Sequence, residues 1–334
     1  MRGDFSVFRK ELLRWFDGEK RDLPWRTRPS LYKTVVSEFM LQQTQVETVL
    51  PYFARWLARF PGFEELAQAG EEDVMKHWEG LGYYSRARNL HRLAKSIVAD
   101  GVPDNVTGWL ERPGVGPYTA AAIASIAQGI PEPVIDGNVI RVLARLTMDQ
   151  QPLRSAADGR KRYLSLARDL IDPERPGAFN EAVMELGATV CRKAKPMCLL
   201  CPVRDHCKAA GTASPGSIPV IERKPTRRRE VARLWLRKNG KLLLHFHPQD
   251  ASRLAGMAEL PSLDKTPGRD PLLVKTRGIS SEQIRESIFA LEADHPLAKT
   301  CQGNPECRWI PLDELTTITL SGPHRRWIGE LLDH

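Results

Sequence analysis

The chain has no run of some 18 apolar residues, and no apolar stretch near its start, MRGDFSVFRKELLRWFDGEKRDLPW. The first absence excludes a membrane-spanning helix of ordinary length, and the second a secretory leader. Internal repeats are lacking too, and the only biased tract is the short stretch Gly211–Arg229. Cysteine is scarce: there are six, and four of them fall at Cys191, Cys198, Cys201 and Cys207. Without an export signal, such a cluster reads as a metal or iron–sulfur site rather than a disulfide framework. Cys301 and Cys307 lie far from it and read as ordinary thiols. The expectation is an intracellular, cytoplasmic chain with no membrane partner.

The 334 residues exceed one typical core and suggest two domains. The net charge of +8 favours a polyanionic partner, although only modestly. Through residue 210 the pattern is helical. Phe39, Val46, Val49, Leu50, Phe53, Leu57 and Phe60 recur at helical spacing, and Pro, Gly and Asp signals separate the runs. Residues 211–228, rich in Pro, Gly, Ser and positive charge, read as a linker. After them, VARLWLRKNGKLLLHF is two apolar runs joined by Asn239-Gly240, a hairpin signal. RWIPLDEL and GPHRRWIGELL suggest a strand edge and a closing helix. The expectation is an all-α domain over 1–210 and an α+β domain over 229–334.

The stretch Arg112–Asn138, RPGVGPYTAAAIASIAQGIPEPVIDGN, combines a Pro-Gly-Val-Gly turn, an Ala-rich helix and an aspartate, Asp136. Glycines at Gly114 and Gly116, around Val115, let bare backbone N–H groups face an anion at a helix start. The segment therefore reads as a grip on a DNA backbone with a carboxylate beside it. Asp136 reads equally well as a helix N-cap. Glu38 stands among Phe39, Met40 and Leu41, a low-dielectric wall that would raise its pKa and suit a general acid. The plainer reading makes it a first-turn helix residue behind an N-cap Ser37. The cysteine spacing C-x6-C-x2-C-x5-C suits four thiolates around a [4Fe–4S] cluster or a tetrahedral zinc. Arg192, Lys193, Lys195, Arg204 and Lys208 on that loop are either a solvated surface or phosphate contacts.

Seven segments occur in one order: LPWR (Leu23–Arg26), SEFMLQQTQV (Ser37–Val46), GLGYYSRARNL (Gly80–Leu90), PGVGPYTA (Pro113–Ala120), IDGNVIRVLAR (Ile135–Arg145), MELGA (Met184–Ala188) and the cysteine loop. Together they closely resemble the MutY family of adenine DNA glycosylases, within the helix-hairpin-helix superfamily that includes endonuclease III. The resemblance covers nearly all of residues 10–210. It implies a monomeric, nucleoid-associated enzyme of base excision repair, with a [4Fe–4S] cluster, acting on duplex DNA containing A:8-oxoguanine or A:G mispairs. It implies Glu38 as the general acid at adenine N7 and Asp136 as the carboxylate that stabilises the cationic sugar or bonds to it transiently. These are the two carboxylates that glycosidic cleavage calls for. Asn138 looks like their orienting partner. Tyr118 is the family tyrosine beside Asp136, where lyase relatives carry a Schiff-base lysine; its plainer reading is a half-buried helix aromatic. Gln43 and Tyr83 match residues that fill the hole left by a flipped base, with Gln42 beside them. Tyr83 could instead be core packing. Arg26, Leu41 and Glu185 fall where the family builds its adenine pocket.

By the same resemblance the second domain is Nudix-like and reads the oxidised guanine, with LAGMAELP (Leu254–Pro261) as a shared segment. The run of metal-binding glutamates of Nudix hydrolases is absent. So is the Ser-His or Thr-His pair that the family carries; the matching stretch is Gln283–Leu291. Arg112 is a second departure, since the family hairpin usually begins with Leu. It either adds a phosphate contact or replaces an exposed apolar residue. Three other readings compete: a thymine-mismatch glycosylase of the same superfamily, a damage-binding protein without catalysis, and a redox protein centred on the cluster.

Overall fold

The computed structural model describes residues 5–222, 227–248, 251, 254–279 and 282–333. Met1–Asp4, at the start of the N-terminal helix reading, and 223–226, within the linker reading, lie outside the described residues. The chain forms two compact units, one of Met1–His77 with Ser85–Arg223, the other of Trp78–Tyr84 with Lys224–His334.

Helices fill the stretch before the cysteine loop: α1 (Ser6–Glu19), α2 (Leu31–Leu41), α3 (Val46–Arg59), α4 (Phe63–Gln68), α5 (Glu71–Trp78), α6 (Ser85–Asp100), α7 (Val106–Leu110), α8 (Pro117–Gln128), α9 (Gly137–Thr147), α10 (Ala156–Leu170) and α11 (Pro176–Thr189). Side-chain caps start several of them. Ser30, Asn105, Asp136 and Ser155 each accept a hydrogen bond from a backbone N–H in the first turn of their helix. Pro117 and Pro176 open α8 and α11, where a missing N–H costs nothing.

The core of this unit gathers Phe8, Leu12 and Phe16 of α1 with Leu143 of α9, Tyr163 of α10 and Phe179 of α11. Val203, Ala209 and Ile218 join it, so the cysteine loop and the stretch after it pack onto the helices. Leu153 donates its N–H to Val220 O at 2.9 Å, and Glu222 donates to Leu153 O at 3.0 Å. Residues 211–222 have the composition of a tether but are part of the helical unit.

Among its described residues the second unit forms two small sheets and two α-helices: β1 (Arg227–Trp235), β2 (Arg237–Lys238), β3 (Lys241–Phe246), β4 (Ala258–Glu259), β5 (Ser262–Leu263), β6 (Leu273–Ile279), β7 (Glu282–Ala290), α12 (Pro296–Gln302), β8 (Cys307–Pro311) and α13 (Gly322–Leu332). One sheet has the order β5-β1-β7-β6, with β1 and β7 parallel; the other joins β2, β3 and β4, with β8 on β3. Asn239 and Gly240 turn β2 into β3 with positive φ at both positions, as their sequence demanded. Cys301 and Cys307 pack in an apolar cluster with Leu234, Leu243 and Phe289, and burial pushes the Cys307 thiol up to about 12.

Charge is also buried here. Arg233 donates to Glu286 Oε2 at 2.6 Å, to Glu259 Oε2 at 3.1 Å and to Leu260 O at 2.9 Å. Arg277 pairs with both carboxylates from the other side. His324 accepts the Leu260 N–H at Nδ1, which leaves its Nε2 facing Glu259 and Glu286 at 3.5 and 3.4 Å. Burial would raise both carboxyls. The His324 ring facing Glu286, the His247 ring beside Glu259 and the two guanidiniums overturn that and hold both below the usual carboxylate range.

Candidate active site

The hairpin lies between α7 and α8. Gly114 has φ +73, and a Cβ there would stand 2.4 Å from the Asn89 side chain, so only glycine fits. Val115 is buried and anchors the turn, while Gly116 caps α8. Arg112 has a role within the fold that neither expectation included. Its guanidinium bonds Asp100 at 2.6 Å and the carbonyls of Ser96 and Gly101 at 3.3 and 3.0 Å. It caps the C-terminal end of α6 and ties the hairpin to that helix.

Glu38 sits near the C-terminal end of α2. That helix starts seven residues earlier, at Leu31 behind Ser30, so the first-turn reading with Ser37 as cap is wrong. Ser37 instead donates back to Thr34 O at 3.0 Å. Glu38 is 6% exposed, and its Oε2 has no hydrogen-bond partner. Burial raises its pKa to about 7; the Tyr118 hydroxyl and Arg26 pull it down, while Glu181 and Asp136 push it up. The end of a helix disfavours an anion as well. Glu38 thus keeps a proton at neutral pH for much of the time.

The structure shows the helix-cap reading of Asp136. Its Oδ1 caps α9 by accepting the Val139 N–H at 2.7 Å, and its Oδ2 accepts from Asn138 Nδ2 at 3.0 Å. Burial raises its pKa, and those hydrogen bonds and Arg141 oppose the rise. Asn138 in turn accepts from Arg141 at 2.9 Å, and Arg141 also bonds Gly187 O and Cys191 O. Gly187 of α11 is needed for this approach, since a Cβ there would meet the Asn138 Cβ at 2.7 Å. Tyr118 is half-buried against Ala121, Ala122 and Val134, with its hydroxyl coupled to both Glu38 and Asp136. The half-buried helix aromatic is what the structure shows.

Arg26 and Glu185 meet, joined by two residues that sequence reasoning missed. Arg26 bonds Glu181 at 2.8 Å and Glu185 at 3.1 Å; Arg21 bonds Glu185 at 2.7 and 3.1 Å. Glu185 is 1% exposed, and the two guanidiniums outweigh its burial and lower its pKa. Arg21 directly precedes the Asp-Leu-Pro-Trp run, which is the one signal that could have found it. Leu41 is half-buried at the end of α2. The turn after it is shaped by Arg86, another missed residue, which donates to Phe39 O, Met40 O and Gln42 O. Gln42 is held to Thr119 Oγ1 at 3.2 Å, whereas Gln43 is exposed with φ 58. In the other unit Tyr83 has φ 47 and is 56% exposed, so it is not core packing.

Cys191, Cys198, Cys201 and Cys207 line one pocket, which Arg145, Val190, Pro196, Met197, Ala209, Ala210 and Pro215 complete. Burial pushes the Cys201 thiol up to about 11, and the other three cysteines add to the shift, which marks them as close neighbours. Arg145, 2% exposed, fastens the loop through Cys191 Sγ at 3.2 Å and the carbonyls of Arg192, Lys193 and Ile218. Among the described residues, no group of three or more His, Cys, Asp or Glu is arranged to hold a metal ion. The four thiols share this pocket with Arg145, and four thiolates are the donor type that an iron–sulfur cluster or a zinc ion takes.

Residues 36–159 match the family of HhH-GPD superfamily base excision DNA repair proteins. The adenine DNA glycosylase of Rattus norvegicus is 45% identical over 235 residues, covering 66% of this chain and 45% of that protein. The chain thus spans about half the length of this relative. The adenine DNA glycosylase of Mycolicibacterium smegmatis is 42% identical over 211 residues, covering 61% of this chain and 69% of that protein. A solved thermostable thymine-DNA glycosylase superposes with a TM-score of 0.55 at 26% identity, over 61% of this chain and 95% of that one. With a relative matched at that identity over more than two thirds of its length, and with the site's motifs in place, the chain belongs to the adenine DNA glycosylase family.

Proposed function

We propose that this protein is a monofunctional DNA N-glycosylase that removes adenine mispaired with 8-oxoguanine or guanine. The observation that carries this reading is a buried, proton-holding glutamate together with a second, firmly fixed carboxylate. Glu38 is buried with a pKa of about 7, and Asp136 is fixed by a helix start and an asparagine. A base leaves its sugar when it is protonated and the cationic sugar is stabilised. Glu38 gives its proton to adenine N7. The C–N bond electrons leave with the base, and Asp136 faces the sugar carbon that turns positive. Glu38, now ionised, takes the proton of the water that completes hydrolysis. Position 118 offers a phenol and no amine, so no Schiff base forms and the strand stays intact.

Arg21 and Arg26 hold Glu185 as one wall of the base pocket, with Leu41 as an apolar one. Gln43 and Tyr83 enter the stack in place of the flipped base, while Gln42 braces the turn. Gly114, Val115 and Gly116 grip the phosphate backbone. Cys191, Cys198, Cys201 and Cys207 hold a [4Fe–4S] cluster, which supplies a covalent brace for the loop when bound. The second domain is Nudix-like and reads the base opposite adenine, without a Ser-His or Thr-His pair. The likeness to a thymine-DNA glycosylase favours thymine as the second reading.

Single-turnover base release from A:8-oxoG, A:G and T:G duplexes tests the proposal. Adenine release from the first two is expected, falling about 10²- to 10⁴-fold in Glu38→Gln. Asp136→Asn is expected to abolish release, with duplex affinity nearly unchanged in both variants. Thymine release alone, or full activity in either variant, would overturn it. A visible iron–sulfur charge-transfer band, which zinc lacks, checks the cofactor.

A further inference from the structure

Leu199 and Leu200 are 81% and 68% exposed, the two most exposed large apolar side chains among the described residues. They are adjacent, in the short turn Cys198–Leu200 between two of the four cysteines. Single exposed leucines are ordinary, but a neighbouring pair at the tip of one loop is less so. The loop under them is rigid. Arg145 pins its start, Val203 and Ala209 are buried in the helical core, and Leu200 donates its N–H to Met197 O at 3.0 Å. Exposed Lys193, Lys195, Arg204 and Lys208 surround the tip in sequence, with Asp205 as the one acidic residue. The tip is thus an apolar point within a basic field. Two features of a duplex groove match it: apolar faces on the sugars and phosphates along both rims.

We infer that Leu199 and Leu200 form an apolar prong that packs into a groove of the bound duplex, with the neighbouring lysines and arginine on the flanking phosphates. The inference rests on the DNA-binding reading above and adds a contact made by neither the hairpin nor the base pocket. The prong is already ordered in the free protein, so little conformational freedom is lost on contact. Its leucines neutralise no phosphate, so they strengthen binding without altering its salt dependence.

The test uses the full chain and a duplex carrying a tetrahydrofuran abasic analogue opposite guanine, titrated over a range of salt. Adenine release by the unaltered protein, measured first, stands or falls apart from the prong. The double variant L199S/L200S is expected to bind about 10- to 100-fold more weakly, with an unchanged slope of log K against log salt. L199M/L200M, which keeps an apolar tip, should bind like the unaltered protein. In contrast, Lys195→Ala should reduce the slope by about 0.9. If the serine pair folds poorly, judged by circular dichroism, L199S alone decides by the same comparison. Unchanged affinity in the serine variants overturns the inference. So does sedimentation showing that the leucines join two copies of the chain, or a methionine pair as weak as the serine pair.

Discussion

Two buried glutamates, one in each unit of this protein, are treated in opposite ways. In the strand-containing unit Glu286 is fully buried, yet its pKa is lowered, because His324, Arg233 and Arg277 surround it. In the helical unit Glu38 is nearly as buried, but its neighbours include two more carboxyls and its Oε2 is unmatched, so its pKa climbs to about 7. Burial acts alike on both. The company decides whether the group is a permanent anion bracing a sheet or a proton store.

The largest expected effect breaks the balanced side of this contrast. Glu286→Leu leaves Arg233 and Arg277 to share Glu259 as their one carboxylate and should destabilise the second unit by about 3–5 kcal/mol in denaturant unfolding of the full chain. A loss below about 1 kcal/mol would mean that the network is not a unit. Glu38→Gln should do the reverse. Below the unfolded value of 4.5 both states carry the proton and burial of the carboxyl is cheap; above the folded value near 7 a charge must be buried. The substitution should therefore stabilise the protein by about 3 kcal/mol at pH 8 and by almost nothing at pH 4. Thermal melts at both pH values give the comparison, and equal shifts at both would refute the raised pKa.

In the proposed mechanism the same proton sets activity. Single-turnover base release should be level below pH 7, as far down as Asp136 stays ionised, and fall about tenfold per pH unit well above it. A profile flat to pH 9 would remove Glu38 as the acid. The smallest effect concerns Arg112. Arg112→Leu should cost about 1 kcal/mol, because the partly exposed Asp100 is screened. The salt slope of DNA binding should not change. A slope reduced by about 0.9 would show a phosphate contact instead of a brace.

What was legible in the sequence was local. Asn239-Gly240, the Pro113–Gly116 turn, the Asp136 cap and the cysteine loop each carry their geometry within a few residues. Ser37 misled because a serine before a helical pattern resembles a cap, and the true cap, Ser30, lies a full two turns earlier. Residues 211–222 misled because composition says nothing of the Arg145 guanidinium that grips Ile218 O from 73 residues away. The same distance hid the arginines. Arg21 finds Glu185 across 164 residues, and Arg233 finds Glu286 across 53. A lone arginine reads as surface charge, and only its folded partners show what it holds.

Gly187 is a hydrogen atom where any other residue would carry carbon, and the nearest object to that missing carbon is Asn138. Helix α11 therefore works as a gauge block for the Asp136 turn, setting its height by contact. A single methyl added at 187 would lift the carboxylate's support before it disturbed the core. In such a protein the Asp136 turn would stand slightly out of place.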